Sequence, residues 1–229
     1  MDGRIPGVHE ISGPSRAFLI DGDEGVTLVD TGMPKRDGAV LEALQKIGRA
    51  PQDLRAILIT HSHSDHVGSA AAVKQRSGAA LFASPGEAAA IRGEEPTTPP
   101  PMFDRFSFLR PLFRFVPSAA PVEVDVEVTE ASSEGLPGDL GVIDTPGHTP
   151  GHVSYLLDRA GGVLFAGDAA VANRRGAVRR GYMNASTPTF DASLRHLADH
   201  EFEIALFAHS RGIYEGAAAA FRTFARAMG

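Results

Sequence analysis

At 229 residues with 43% hydrophobic side chains, the chain has enough apolar material for a packed core and too much for wholesale disorder. Its formal charge of −6 argues against a general nucleic-acid coat and against a basic membrane-surface protein. Cysteine is absent, which excludes disulfides, thiolate ligands and a cysteine nucleophile, so any metal must be held through nitrogen and oxygen.

The opening "MDGRIPGVHEISG" has neither the basic start nor the apolar stretch of a signal peptide, and no run approaches the ~18 apolar residues of a membrane span. A cytoplasmic location is expected. "SRAFLID" and "GVTLVD" read as a hairpin around "DGDEG". "KRDGAVLEALQKIG" sets Val40, Leu41, Leu44 and Ile47 on one helical face and stops at Gly48. "LRAILIT" predicts a buried strand, "HVGSAAAVKQRSG" a helix stopped by Gly78, and "AALFAS" another strand. "PGEAAAIRG" predicts a short helix with Ser84 as its cap and Pro85 in its first turn.

Residues 93–121, rich in proline and phenylalanine, break this rhythm; Phe103, Phe106, Leu109, Leu112 and Phe113 could share one face of a helix broken at Pro111. Strands then dominate: "VEVDVEV", "LGVID", "HVSYLLD" and "GVLFAGD". The chain closes with a helix in "FDASLRHLADH", a strand in "FEIALFA" and a last helix from about Tyr214. Two halves, each of strands followed by helices, predict two sheets packed together with helices outside. No linker divides them, so one domain over 1–229 is expected, with 93–121 as an insertion.

The stretch "THSHSDHVGS" places His61, His63, Asp65 and His66 where an apolar strand ends. A solvated polar loop is the bland explanation, but composition gives this pattern a chance probability of only about one in a thousand. Three further strands also end on a ligand-type side chain: "VIDTPGHTPGH" carries His148 and His152, "LFAGD" ends on Asp168, and "ALFAH" ends on His209. A divalent metal needs several imidazoles or carboxylates converging to within about 2.0–2.2 Å, more than one segment can supply. Four such strand ends could form one rim.

These residues together resemble the metallo-β-lactamase-fold hydrolases. The resemblance runs from about Ile5 to the C-terminus and implies an α/β (α+β) fold, a four-layer αββα sandwich of two mixed sheets flanked by helices. It implies that His61, His63 and His148 bind one metal, that Asp65, His66 and His209 bind a second, and that Asp168 bridges the two. His152 would then support the site rather than ligate, and Asp30 in "LVDTG" would brace the metal loop. With no cysteine ligand, the pattern is similar to the branch of glyoxalase II, lactonases, arylesterases and phosphodiesterases rather than to β-lactamases that use one.

Two ions ~3.5–4 Å apart share a water and lower its pKa, giving a bridging hydroxide that attacks an electrophilic centre. Asp65 would be the catalytic carboxylate, orienting that nucleophile and taking up its proton. Zinc suits imidazole and carboxylate best, while iron or manganese accepts the same donors. A small-molecule substrate is expected, an ester, lactone or thioester. If the segment 102–116 is a lid, with Phe103 and Phe106 walling the site, the substrate carries an apolar acyl or aryl group; the same segment could instead be core or a homodimer contact. Arg174 and Arg175, with Arg179 and Arg180, could receive an anionic tail, and Tyr182 could act as an acid or oxyanion donor. Only 20 residues follow His209, so the helical extension that helps glyoxalase II bind glutathione is not expected. Three rivals stand beside hydrolysis of these substrates: an iron-dependent persulfide dioxygenase using two histidines and an aspartate, a phosphodiesterase, and a non-catalytic binding protein on the same fold. Neither nucleic acid nor a membrane is an expected partner.

Overall fold

A computed structural model of the chain describes residues 5–98, 118–133 and 135–228. The expected lid, with Phe103 and Phe106, lies outside these residues. Twelve strands are described, and ten of them build two main sheets. In the first, β1 (Val8–Ile11), β2 (Ala17–Gly22), β3 (Gly25–Val29), β4 (Leu54–Leu58), β5 (Ala80–Ala83) and β6 (Val126–Glu127) lie in chain order. Strands β1 to β3 are antiparallel neighbours, and β3 to β6 are parallel. The second sheet holds β7 (Leu140–Asp144), β8 (Val153–Leu157), β9 (Val163–Phe165) and β12 (Ile204–Leu206), in the order β12-β9-β8-β7. The remaining two, β10 (Val171–Ala172) and β11 (Val178–Arg179), form a small separate ribbon.

Period-two burial makes three apolar layers from two sheets. Leu19, Leu28, Ile57 and Leu81 face Val40 and Leu44 of α1 (Asp37–Lys46), Val73 of α2 (Ala70–Ser77) and Ala88 of α3 (Pro85–Ile91). Their strand neighbours Phe18, Ile20, Val29, Leu58 and Phe82 meet Val142, Tyr155, Phe165 and Leu206 between the sheets. On the far side, Ile143, Leu164 and Phe207 pack on Phe190, Leu194 and Leu197 of α4 (Thr187–Ala198) and Phe221 of α5 (Ala217–Ala227). This is the expected αββα sandwich. Among the described residues no helix is long and apolar enough to cross a membrane.

Three local expectations need correction, and three short strands were not expected. "VEVDVEV" yields only the two-residue β6, because Oδ2 of Asp125 accepts the Leu81 N–H at 2.6 Å and so takes a ladder acceptor's place. Helix α2 starts four residues later than expected, since His66–Ser69 form turns around the Thr31 and Ser69 hydroxyls. Ser84 stands at the N-cap position of α3, yet its hydroxyl donates to the Gly151 carbonyl at 2.5 Å instead of capping the helix. Strand β1 and the β10–β11 ribbon had no clear alternation in the sequence to announce them.

Sheet polarity places the site. Strands β3 and β4 run parallel, so Asp30 and the 60–66 loop leave the first sheet at one edge. In the second sheet β7 and β9 are each antiparallel to β8, and β12 is parallel to β9, so all three end together. Hydrogen bonds join the two rims there, among them Val153 N to Thr60 O at 3.0 Å, Tyr155 Oη to Ile59 O at 2.9 Å and Arg16 N to Ala208 O at 3.0 Å.

Candidate metal centre

Seven side chains from these strand ends converge. Nδ1 of His63 lies 3.0 Å from Nε2 of His61 and 3.0 Å from Nε2 of His148. Asp168 faces both ways: Oδ2 is 3.4 Å from His148 Nε2, while Oδ1 is 3.4 Å from His66 Nε2 and 3.3 Å from His209 Nε2. Asp65 Oδ2 stands 3.3 Å from His209 Nε2 and 3.7 Å from His66 Nε2. The donor atoms of His61, His63 and His148 lie within 4.8 Å of one another, and so do those of Asp65, His66 and His209. His61, His66 and His148 are buried, whereas His209 and Asp65 form the open side.

Each inward nitrogen is matched by an outward one bound to oxygen. His61 Nδ1 meets Thr60 Oγ1 at 3.1 Å, His63 Nε2 meets Thr98 O at 2.9 Å, and His66 Nδ1 meets Asp30 Oδ2 at 2.8 Å. His148 Nδ1 meets Tyr182 O at 3.1 Å, and His209 Nδ1 meets Pro14 O at 3.2 Å. An oxygen acceptor on the outer nitrogen fixes the hydrogen there and leaves the inner lone pair for a cation. The lone pair of His63 then faces those of His61 and His148, each at 3.0 Å, an arrangement that is repulsive without a positive charge between them. Two buried inner atoms, His66 Nε2 and Asp168 Oδ1, make no hydrogen bond among the described residues. Ligands about 2.0–2.1 Å from one ion at tetrahedral angles stand about 3.3 Å apart, close to the spacings found here. The donor set fits divalent metal.

Electrostatics agree with this reading. Burial keeps His61 and His152 well below the ordinary imidazole value, and burial brings His148 to about 4. Burial also works against charge on His66, but the Asp168 and Asp30 carboxylates carry it well above that value. At His209 burial is likewise outweighed, by the Asp168 and Asp65 carboxylates each 3.3 Å away, and its value rises to about 9. Asp65 falls to about 2 against its burial through the His209 hydrogen bond, and the His66 charge holds Asp168 well below the carboxylate range despite its burial. The positive charge that the two aspartates favour on His66 and His209 is what a metal ion would supply there.

His152 is within the cluster but faces away from the donors. Its Nε2 accepts the Asp168 N–H at 3.1 Å and its Nδ1 pairs with Thr145 Oγ1 at 2.8 Å, so it positions the Asp168 backbone. Gly167 precedes Asp168 at φ +52°, and a Cβ there would stand 2.8 Å from that same Nε2. Asp30 adopts φ +57° and receives Thr60 N at 2.9 Å as well as His66. Strain at such a residue is held only where its surroundings over-determine it.

The remaining sequence candidates are not drawn into the cluster. Arg174 and Arg175 are exposed on the β10–β11 turn, with no described bond to any of the seven. Arg180 is engaged by Asp191 through two contacts of 2.6 and 2.8 Å, and Arg179 donates to Val178 O. Tyr182 lends its carbonyl to His148, while its side chain is 67% exposed.

One important residue was missed. Glu87 of α3 is buried, and its two carboxylate oxygens accept Ser62 N and Gly151 N, each at 2.9 Å. It joins the 61–66 loop to the loop after His148. Backbone contact seals the joint, since a Cβ on Gly86 would stand 2.8 Å from Gly151 Cα. The available signal was a glutamate one turn before Ile91 on the buried face of a short helix.

The metallo-beta-lactamase superfamily model matches residues 12–209. The chain belongs to this superfamily. Among its relatives is a probable metallo-hydrolase, YflN of Bacillus subtilis (strain 168), 33% identical over 151 residues, which are 63% of this chain and 55% of that protein. A hydroxyacylglutathione hydrolase of Chelativorans sp. (strain BNC1) is 27% identical over 189 residues, 82% of this chain and 58% of that one. An N-acyl homoserine lactonase of a Bacillus species is 25% identical over 182 residues, 69% of this chain and 64% of that one. The chain therefore spans less than two thirds of these superfamily relatives. A solved metallo-beta-lactamase family protein of Thermus thermophilus, TTHA1429, superposes with a TM-score of 0.72 at 25% identity, covering 98% of this chain and 80% of that one.

Proposed function

We propose that this chain is a binuclear metal-dependent hydrolase acting on a small ester, lactone or thioester. The observation that carries the reading is the placement of Asp168, with one carboxylate oxygen toward His148 and the other toward His66 and His209. His61, His63 and His148 would hold one ion, Asp65, His66 and His209 the other, and Asp168 would join them. The relatives named hydroxyacylglutathione hydrolase and N-acyl homoserine lactonase favour acyl substrates over phosphodiesters. Zinc is the first choice for this imidazole and carboxylate set.

When bound, two such ions supply a water of lowered pKa and an electrophilic contact for the substrate's oxygen. The protein does the rest by position. Asp65, on the open side beside His209, would orient the attacking water through its other oxygen and accept its proton. Asp30, Thr60, Thr98, Tyr182 and Pro14 fix the imidazoles, so little reorganisation is needed during the reaction.

The test is a panel of nitrophenyl esters, lactones, acyl-thioesters and bis-nitrophenyl phosphate, run on protein with its metal content measured. Turnover of at least one acyl substrate, abolished by chelation and restored by zinc, is expected. Turnover of the phosphodiester alone, or oxygen consumption with a persulfide by iron-loaded protein, would overturn the reading.

A further inference from the structure

A second group of metal-type side chains lies outside the seven. His196 lies in the last turn of α4 and His200 two residues beyond its end, with ring centroids 4.9 Å apart at 79°. Both direct Nε2 at the carboxylate of Glu130. His196 stands 2.9 and 2.7 Å from its two oxygens, and His200 stands 3.8 Å from Oε1. The donor atoms of all three lie within 4.8 Å of one another.

The carboxylate is held in place before anything binds. Glu130 sits in a tight turn closed by paired backbone bonds between Thr129 and Ser132, each 3.0 Å. Its N–H donates to Asp144 Oδ1 at 3.2 Å, and its Oε2 accepts the Asp144 N–H at 3.1 Å. The simplest alternative is an ion pair between one protonated histidine and Glu130 at a helix C-terminus. It accounts for His196. It leaves His200 aimed at the same oxygens beyond hydrogen-bond reach, and a second protonated ring beside the first would be repelled. One divalent ion satisfies all three donors together.

We propose that Glu130, His196 and His200 form a surface site for a single divalent transition-metal ion, separate from the cluster around Asp168. Two imidazoles and one carboxylate select borderline ions such as Zn²⁺, Ni²⁺ or Cu²⁺. Ca²⁺ is excluded because it takes 6–8 oxygen ligands. With three protein donors the site keeps a position open to water or to an outside ligand. The ion would tie the end of α4 to the 129–132 turn and, through Asp144, to the strand that leads into His148.

The experiment titrates Ni²⁺ calorimetrically into the chain loaded with zinc and then treated with a mild chelator until wild type holds no more zinc than the His196→Ala/His200→Ala variant, so that the surface site starts empty. Zinc content is measured on the same samples, so the outcome does not depend on the hydrolase reading. One equivalent of Ni²⁺ is expected to bind wild type without displacing zinc. His200→Ala and Glu130→Gln should each weaken it at least ten-fold, and the His196→Ala/His200→Ala double variant should abolish it with zinc content unchanged. Ni²⁺ should raise the melting temperature of wild type but not of the double variant. No additional equivalent in wild type, or unchanged affinity in the double variant, would overturn the proposal. All these substitutions are on the surface, and circular dichroism verifies that the variants are folded.

Discussion

Asp30 Oδ2 accepts a hydrogen bond from His66 Nδ1 at 2.8 Å while Asp30 holds a left-handed backbone at φ +57°. Asparagine tolerates that backbone as aspartate does, so Asp30→Asn removes charge with little added strain. Loss of such an outer partner typically weakens a metal site by about 10–100-fold. Competition against a coloured chelator should show that drop with the fold intact; unchanged zinc affinity would mean that Asp30 serves the backbone only.

Asp168 is expected to control how many ions stay bound. Asp168→Ala removes the one side chain that faces both histidine groups, so metal content should fall from two ions per chain toward one. Activity on the best acyl substrate should fall by at least about 100-fold, as for other groups acting on the reacting atoms. Full activity in this variant would remove the two-metal mechanism.

Glu87 should matter to stability before it matters to chemistry. Glu87→Ala strands the buried Ser62 N–H, at about 1–3 kcal/mol, and removes the acceptor of the half-buried Gly151 N–H. Chemical denaturation should register a loss of about 2 kcal/mol or more, with weaker zinc binding because both metal loops lose a common anchor. Glu87→Gln keeps one acceptor oxygen and should fall between. A Glu87→Ala protein as stable as wild type would show that the joint is held by the Gly86–Gly151 contact alone.

Acid stability should depend in part on Asp125. Burial raises its carboxyl, but Lys74 at 2.5 Å and the Leu81 N–H leave it below the ordinary 3.8. Its folded value lies under the unfolded one, so its contribution is present above about pH 4 and is lost as pH falls through the folded value. Denaturation of wild type and Asp125→Asn should therefore differ most near neutrality and converge in acid. A gap independent of pH would contradict this.

The four strand-end motifs were legible in the sequence because a buried strand that runs into a polar ligand-type residue is an unusual local pattern. His61, His63, Asp65 and His66 needed no three-dimensional information, since neighbours on one loop are close in any fold. The turn signal "DGDEG" likewise announced the β2–β3 pair, and a short apolar run announced β8. Alternation misled at "VEVDVEV", where the Asp125 side chain displaces a ladder bond that no periodicity can foresee.

The sequence by itself therefore determined the donor inventory, the exclusion of sulfur ligands and the layered fold, because residue type and local burial period are properties of short segments. Only the tertiary structure decided that Asp168 faces two groups, that His152 turns to a backbone N–H instead of the donors, and that Glu87 joins two loops 25 and 64 residues away in the chain. Those outcomes depend on how two sheets are aligned edge to edge, and that alignment is set by packing between distant strands. The same holds for Glu130, 66 residues from His196, whose meeting no local pattern encodes.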